Sequence, residues 1–144
     1  MAQGYDIIII GAGPGGYVAA LRAVQLGARV AVVEGNRVGG TCLNRGCIPT
    51  KAMLTDAHLY RQVTSGQFGI ACEGGVSVDY TRLLSRRDDV VETLVGGVEQ
   101  LLTARGVTVL SGLGTIVRSG LVRVDTNEGA LEIEGRAIIV ATGA

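Results

Sequence analysis

Two clusters in this chain of 144 residues combine residue types and spacings that can do chemistry. The first is Gly11-Ala-Gly-Pro-Gly-Gly16, a G-x-G-x-x-G run between an apolar stretch and a small-residue stretch. In such a run the first glycine permits a tight turn and the second lets backbone approach a pyrophosphate. The third lets the helix pack against the strand. Gly11, Gly13 and Gly16 hold those places, with Pro14 and Gly15 between them. Glu34 ends the next apolar run, 18 positions beyond Gly16. A carboxylate there accepts hydrogen bonds from a ribose diol and repels a 2′-phosphate. The pattern specifies an adenine dinucleotide and does not itself separate FAD from NAD.

The second cluster is Cys42 and Cys47, within Gly39-Gly-Thr-Cys-Leu-Asn-Arg-Gly-Cys-Ile-Pro-Thr-Lys51. Thiols near a helix N-terminus have a lowered pKa, which makes thiolate available at neutral pH. Distortion of the first turn by Gly46 and Pro49 brings sulfurs five positions apart within bonding reach. On spacing alone a redox pair and two inert buried thiols both stand. Zinc needs four ligands, and beyond the pair only Cys72 and His58 remain, at no zinc-type spacing, so no metal site is expected.

These residues need a scaffold, and the hydrophobic pattern supplies one. Residues 5–10 are a continuous apolar run suited to a strand buried on both faces. A helix from Tyr17 to Leu26 follows, stopped by Gly27, and then a second strand from Arg29 to Glu34. Strand, helix, strand is a βαβ unit with a right-handed crossover, so the fold class is α/β. Residues 42–63 are expected as a helix interrupted early by Pro49, and Gly66 to Ser77 as a loop with short extended pieces. Asp79 is placed to cap a long helix running to Arg105. Gly96-Gly97 inside it costs about 1 kcal/mol per glycine relative to alanine, which suggests another backbone packing closely there. Val107 to Leu110 is a further strand, and residues 115–134 alternate through Gly120 and Asn127-Glu-Gly129 as a β-meander does. A final apolar strand, Ala137 to Val140, leads into Ala141-Thr142-Gly143.

Composition narrows the partners. The 23 glycines among 144 residues are roughly twice the usual ~7%, with no collagen period and 47% apolar residues. Glycine at that density in a well-patterned chain suggests backbone lying close to a phosphate-bearing ligand. Thirteen basic and thirteen acidic residues cancel, which argues against a nucleic-acid or anionic-membrane surface. Lys51 is the single lysine. No apolar run reaches the ~18 residues of a membrane span, and the start at Met1 lacks a signal peptide's basic and apolar stretches. Three cysteines in this setting fit a reducing compartment, so a cytoplasmic location is expected.

The segment Gly-Gly-Thr-Cys-Leu-Asn-x-Gly-Cys-Ile-Pro-Thr-Lys closely resembles the redox-active disulfide segment of the flavin-dependent pyridine nucleotide–disulfide oxidoreductases. Its Leu-Asn and Ile-Pro-Thr-Lys wording is most similar to that of the dihydrolipoamide dehydrogenase branch. Glutathione and mercuric reductases usually read Val-Asn and Val-Pro, and a reductase of that kind is the alternative. A non-catalytic dinucleotide-binding module is the other. Lys51-Ala-Met-Leu…His58-Leu-Tyr, Leu94-Val-Gly-Gly-Val98 and Ala141-Thr-Gly143 agree with the family as well. Arg45 stands where the family usually has valine.

The resemblance implies a Rossmann-like FAD-binding domain with a parallel sheet, helices and an inserted β-meander. It implies that Gly11, Gly13, Pro14, Gly15 and Gly16 bind the FAD pyrophosphate and that Glu34 holds the adenosine ribose. Gly40 and Thr41 would line the flavin side, Gly114 would contact the adenine end through its backbone, and Ala141-Thr142-Gly143 would form the second FAD fingerprint. Cys42 would be the interchange thiol, Cys47 the thiol facing the flavin, and Lys51 the lysine beside the flavin N5. His58 does not match the family's catalytic base, a histidine near the C-terminus, and is expected to pack or face solvent. NAD would be the co-substrate of a full-length homodimer acting with the lipoyl-bearing acyltransferase of 2-oxoacid dehydrogenase complexes. Residues 1–144 are accordingly expected to be one incomplete FAD-binding domain lacking the NAD and dimerisation domains, inactive alone in NAD-linked turnover.

Overall fold

A computed structural model describes residues 4–143; Met1, where the leader was sought, and the terminal Ala144 lie outside the described residues. The first apolar run forms β1 (Gly4–Ile10), and α1 (Pro14–Gln25) and β2 (Val30–Glu34) complete the βαβ unit. β1 pairs in parallel with β2, Ile7 opposite Val30 through Ile10 opposite Val33. Side chains alternate across a strand, and here both faces are covered. Ile9, Val30 and Val32 join Ala20 and Ala23 of α1 on one side, whereas Ile8, Ile10, Ala31 and Val33 face Val122, Val124 and Ile133 on the other. That double burial is why these strands read as unbroken apolar runs. Each of these valines and isoleucines removed from water contributes about 1.5–3 kcal/mol.

α1 begins at Pro14, three residues earlier than its apolar pattern implies, so Gly15 and Gly16 belong to its first turn. Proline suits that position because its missing N–H would have no helical partner anyway. Gly27, with φ +87°, follows the C-cap Leu26 and turns the chain toward β2.

The cysteine segment departs from the expected single helix. Two helices form, α2 (Gly40–Asn44) and α3 (Cys47–Thr64), and the break lies at Arg45-Gly46 rather than at Pro49. Pro49 sits in the first turn of α3, where no i−4 hydrogen bond is lost. The connection over 66–78 contains turns but no extended strand. α4 (Tyr80–Ala104) is capped as expected, the Asp79 carboxylate accepting from the Arg82 amide at 3.1 Å. Its Leu102 packs beneath the parallel strands, and Val91 and Val95 enclose Leu43 of α2. The close backbone neighbour expected at Gly96-Gly97 is absent: a Cβ built on either glycine meets no atom within 4 Å.

β3 (Thr108–Ser111) extends the parallel sheet beside β2. β4 (Leu113–Arg118), β5 (Leu121–Thr126) and β6 (Gly129–Val140) are the antiparallel meander. The separate last strand expected at Ala137–Val140 is instead the second half of β6. Residues 129–134 of β6 pair with β5, and the continuation pairs in parallel with β1, giving a six-stranded sheet in the order β3-β2-β1-β6-β5-β4. Gly135 sits at the change of partner; a Cβ there would lie 2.8 Å from the Ile8 side chain. No described helix is long and apolar enough to cross a membrane.

Candidate functional site

β1 has β2 on one side and β6 on the other, so the strand order reverses direction at β1. Open α/β sheets bind ligands in the crevice at that point, beyond the carboxyl ends of the strands. A cleft of about 670 Å³ opens there, within the range of small-molecule sites. The ends of β1 and β6 form its floor, joined where the Ala141 amide donates to the Ile10 carbonyl at 2.8 Å.

Glycines shape the walls by what a side chain would strike. Gly11 has φ +104°, and a Cβ there would lie 2.7 Å from the Ala141 carbonyl carbon. A Cβ on Gly16 would come to 2.9 Å of the Gly11 carbonyl carbon, which explains the helix's tight seat on the turn. A Cβ on Gly40, with φ +58°, would lie 2.8 Å from the Gly13 Cα, so two backbones meet at the cleft wall. Gly15 differs: it lines the cleft, and a Cβ there would meet nothing within 4 Å. The α1 N-cap, Gly13, supplies no side-chain cap to the first helical N–H groups. A glycine cradle, uncapped amides and the positive end of a helix dipole together suit a dinucleotide pyrophosphate.

Glu34 stands at the end of β2 in the cleft wall. One carboxylate oxygen accepts from the Ala12 amide at 2.7 Å, the other from the Asn36 amide at 2.9 Å. It therefore fixes the glycine turn from within, and each oxygen retains a lone pair for a further donor.

The two cysteines are joined in a Cys42–Cys47 disulfide with their Cα atoms 4.8 Å apart. The kink at Arg45-Gly46 makes this possible, because an uninterrupted helix would carry the two side chains to different faces. Gly46 fits closely at the kink, where a Cβ would crowd the Thr41 carbonyl oxygen at 3.2 Å. Cys42 lines the cleft beside Gly40 and Thr41, and Cys47 is the first residue of α3. A redox-capable disulfide thus shares a wall with the glycine cradle.

Of the residues marked from sequence, Gly11, Gly13, Pro14, Gly15, Glu34, Gly40, Thr41, Cys42, Ala141, Thr142 and Gly143 converge on this cleft. Gly16 supports it from behind. Cys47, Lys51 and Gly114 do not line it, Cys47 being joined to the wall through its bond to Cys42. Gly114 packs beneath the sheet, where a Cβ would approach the Val33 and Ile10 side chains at 3.1 and 3.2 Å. Lys51 is exposed in the first turns of α3. His58 is exposed as well, and Cys72 is a free, exposed thiol in the 66–78 connection.

Sequence reasoning missed three cleft residues, Asn36, Arg37 and Asn44; Arg45, noted there only as a departure from the family's valine, lines the cleft too. Arg37 makes a bidentate pair with Glu92 of α4, with Nη1 to Oε1 at 2.7 Å and a shorter Nη2–Oε2 contact. That hydrogen bonding holds the Glu92 carboxyl below its ordinary range and raises Arg37 further. Nothing local announces a pairing across 55 positions. Asn44 did carry a signal, since it lies inside the cysteine segment. Its amide donates to the Val38 and Gly40 carbonyls at 3.0 and 2.9 Å, while its Oδ1 is buried without a partner.

Residues 5–144 match the family described as pyridine nucleotide-disulphide oxidoreductase. The chain belongs to this family. Relatives include a dihydrolipoyl dehydrogenase from Acholeplasma laidlawii, 45% identical over 99% of this chain and 42% of that protein. Another, from Chlamydia trachomatis, is 43% identical over 99% of this chain and 30% of that protein. Among solved structures, the Cu(II) complex of the HOCl-induced flavoprotein disulfide reductase RclA from Escherichia coli superposes with a TM-score of 0.82. It is 32% identical, covering 99% of this chain and 29% of that one. The chain therefore spans less than half the length of each of these proteins.

Proposed function

We propose that this chain is the FAD-binding, disulfide-bearing part of a dihydrolipoyl dehydrogenase. The observation that carries the reading is the Cys42–Cys47 disulfide in the wall of a glycine-lined cleft at a helix N-terminus. The residues present fit FAD. Gly13 and Gly15 leave room for the pyrophosphate, the uncapped amides of α1 meet its charge, and the Glu34 oxygens keep acceptor capacity for a ribose diol. Gly40 and Thr41 border the region next to the disulfide, and Ala141-Thr142-Gly143 closes the floor. Bound there, FAD supplies two-electron acceptor chemistry, with NAD as the final hydride acceptor.

The chain's own residues perform the thiol chemistry. A dithiol substrate attacks Cys42 as thiolate, forming a mixed disulfide and expelling Cys47 as thiolate. The substrate's second sulfur then displaces Cys42, leaving a cyclic disulfide product and two reduced protein sulfurs. Cys47, the first residue of an 18-residue helix, is placed where the dipole favours the thiolate. Lys51, one turn onward, is assigned to the flavin N5 and Gly114 to the adenine end on family resemblance alone, since neither lines the cleft.

The relatives' unmatched length would hold NAD-binding and dimerisation segments, and the residues 1–144 would form one incomplete FAD domain. In that setting the substrate is the dihydrolipoyl group of an acyltransferase in a 2-oxoacid dehydrogenase complex, the assembly is a homodimer, and the location is cytoplasmic. Reconstitution tests the reading. The FAD-loaded chain, given a dithiol without oxygen, is expected to gain a long-wavelength thiolate–flavin band that Cys42→Ser keeps and Cys47→Ser lacks. The same spectrum in all three proteins would refute the cysteine roles.

A further inference from the structure

Arg45 is the one residue of the cysteine loop whose charge the proposed chemistry has not used. It caps α2 at the break between the two helices, two residues before Cys47, and its amide donates to the Thr41 carbonyl at 2.9 Å. Its backbone is therefore fixed relative to the disulfide. The side chain is exposed, lines the same cleft as Cys42, and makes no ion pair or hydrogen bond among the described residues.

Other charged side chains of the cleft and of α3 are differently engaged. Glu34, across the cleft, accepts two backbone amides. Arg37 is neutralised by Glu92 of α4. On α3, Asp56 is paired with Arg86 of α4, and Lys51 is exposed without a partner. Among the described residues that line the cleft, Arg45 is the cation without an acidic partner.

We propose that Arg45 stabilises the thiolate released when the disulfide opens, and so raises the reduction potential of the Cys42–Cys47 couple. This rests on the reading that the disulfide exchanges with a dithiol. The step balances as dithiol plus protein disulfide giving cyclic disulfide, one protein thiol, one protein thiolate and one proton. The guanidinium acts on the thiolate alone, because the neutral disulfide offers no charge to attract. Arg45 is thus a positioning residue for charge; it need not touch the substrate.

The size follows from exposure. A solvated guanidinium–anion pair shifts an equilibrium by about three- to fivefold and is screened by salt. At 29.6 mV per decade that is roughly 15–20 mV.

The test equilibrates the FAD-free chain with mixtures of reduced and oxidised dithiothreitol, traps thiols by alkylation and counts them by mass. Arg45→Gln is expected to favour the disulfide by about three- to fivefold at low salt, with the difference shrinking in 1 M NaCl. Its more reactive thiol should also titrate at higher pH, and Arg45→Lys should restore both. Equal potentials and equal thiol titrations for wild type and Arg45→Gln would overturn the Arg45 proposal and leave the exchange reading intact. No reduced protein at any dithiol ratio would overturn both. Circular dichroism verifies that Arg45→Gln is folded; if it is not, Arg45→Val takes its place in the same comparison, with the same two outcomes.

Discussion

Gly15 and Gly16 are neighbours in one helical turn with separate duties. A methyl on Gly16 collides with the backbone of Gly11, whereas one on Gly15 enters empty cleft. Gly16→Ala should therefore destabilise the fold by about 1–3 kcal/mol, the usual cost of overpacking, as read by urea denaturation. Gly15→Ala should leave that stability intact, or slightly increased, and weaken FAD binding about tenfold, as read by fluorescence titration. If both variants lose stability alike, the open cradle at Gly15 is wrong. Glu34 combines the two duties, since it ties the Ala12 amide and faces the cleft. The glycines and Glu34 were legible in the sequence because each rule behind them is local: a turn, a helix start, a strand end. Arg37 was not, because its role appears only when α4 meets it; Asn44 stood inside a legible segment, but its bonds to the Val38 and Gly40 carbonyls did not show there.

Among the elements, α4 gives the clearest disagreement between pattern and structure. Gly96-Gly97 reads as a packing notch, yet both positions open onto unfilled space, with no neighbouring atom for a methyl to strike. Gly97→Ala should then raise stability by about 0.5–1 kcal/mol in denaturant titration, the helix-propensity gain without a steric cost. A loss of stability would restore the notch. The same helix anchors the cleft through Glu92 and Arg37. Because the Glu92 carboxyl is held below its ordinary 4.5 by the Arg37 hydrogen bond, the folded chain binds fewer protons there than the unfolded one. That contribution is complete above the unfolded value and is lost as pH falls through the lower folded value. Stability of wild type and Glu92→Gln should accordingly converge on acidification below about pH 4. A gap that stays constant from neutral to acid pH would remove the ion pair from the account. The break in the cysteine segment was also misplaced from sequence. Proline is a breaker only beyond the first helical turn, and Pro49 stands within it, so the chain kinks before it, at Arg45-Gly46.

For the whole molecule, one βαβ unit, α2 and the strand that ends the meander bring residues 11, 13–15, 34, 40–42 and 141–143 to a single cleft. The α/β class and the dinucleotide turn could be inferred from periodicity and spacing. The long β6 could not, because its halves have different partners and Gly135, where they meet, resembles an ordinary turn glycine until Ile8 is seen beneath it. The packing at Gly114 was hidden for the same reason: its close neighbours are core side chains contributed by distant strands. The central claim is that this cleft binds FAD beside the disulfide. Titrating FAD fluorescence with the oxidised chain tests it most directly. One saturable site per chain, weakened about tenfold by Gly15→Ala and unchanged by Gly97→Ala, is the expected result; no saturation, or equal affinity for wild type and Gly15→Ala, would contradict it.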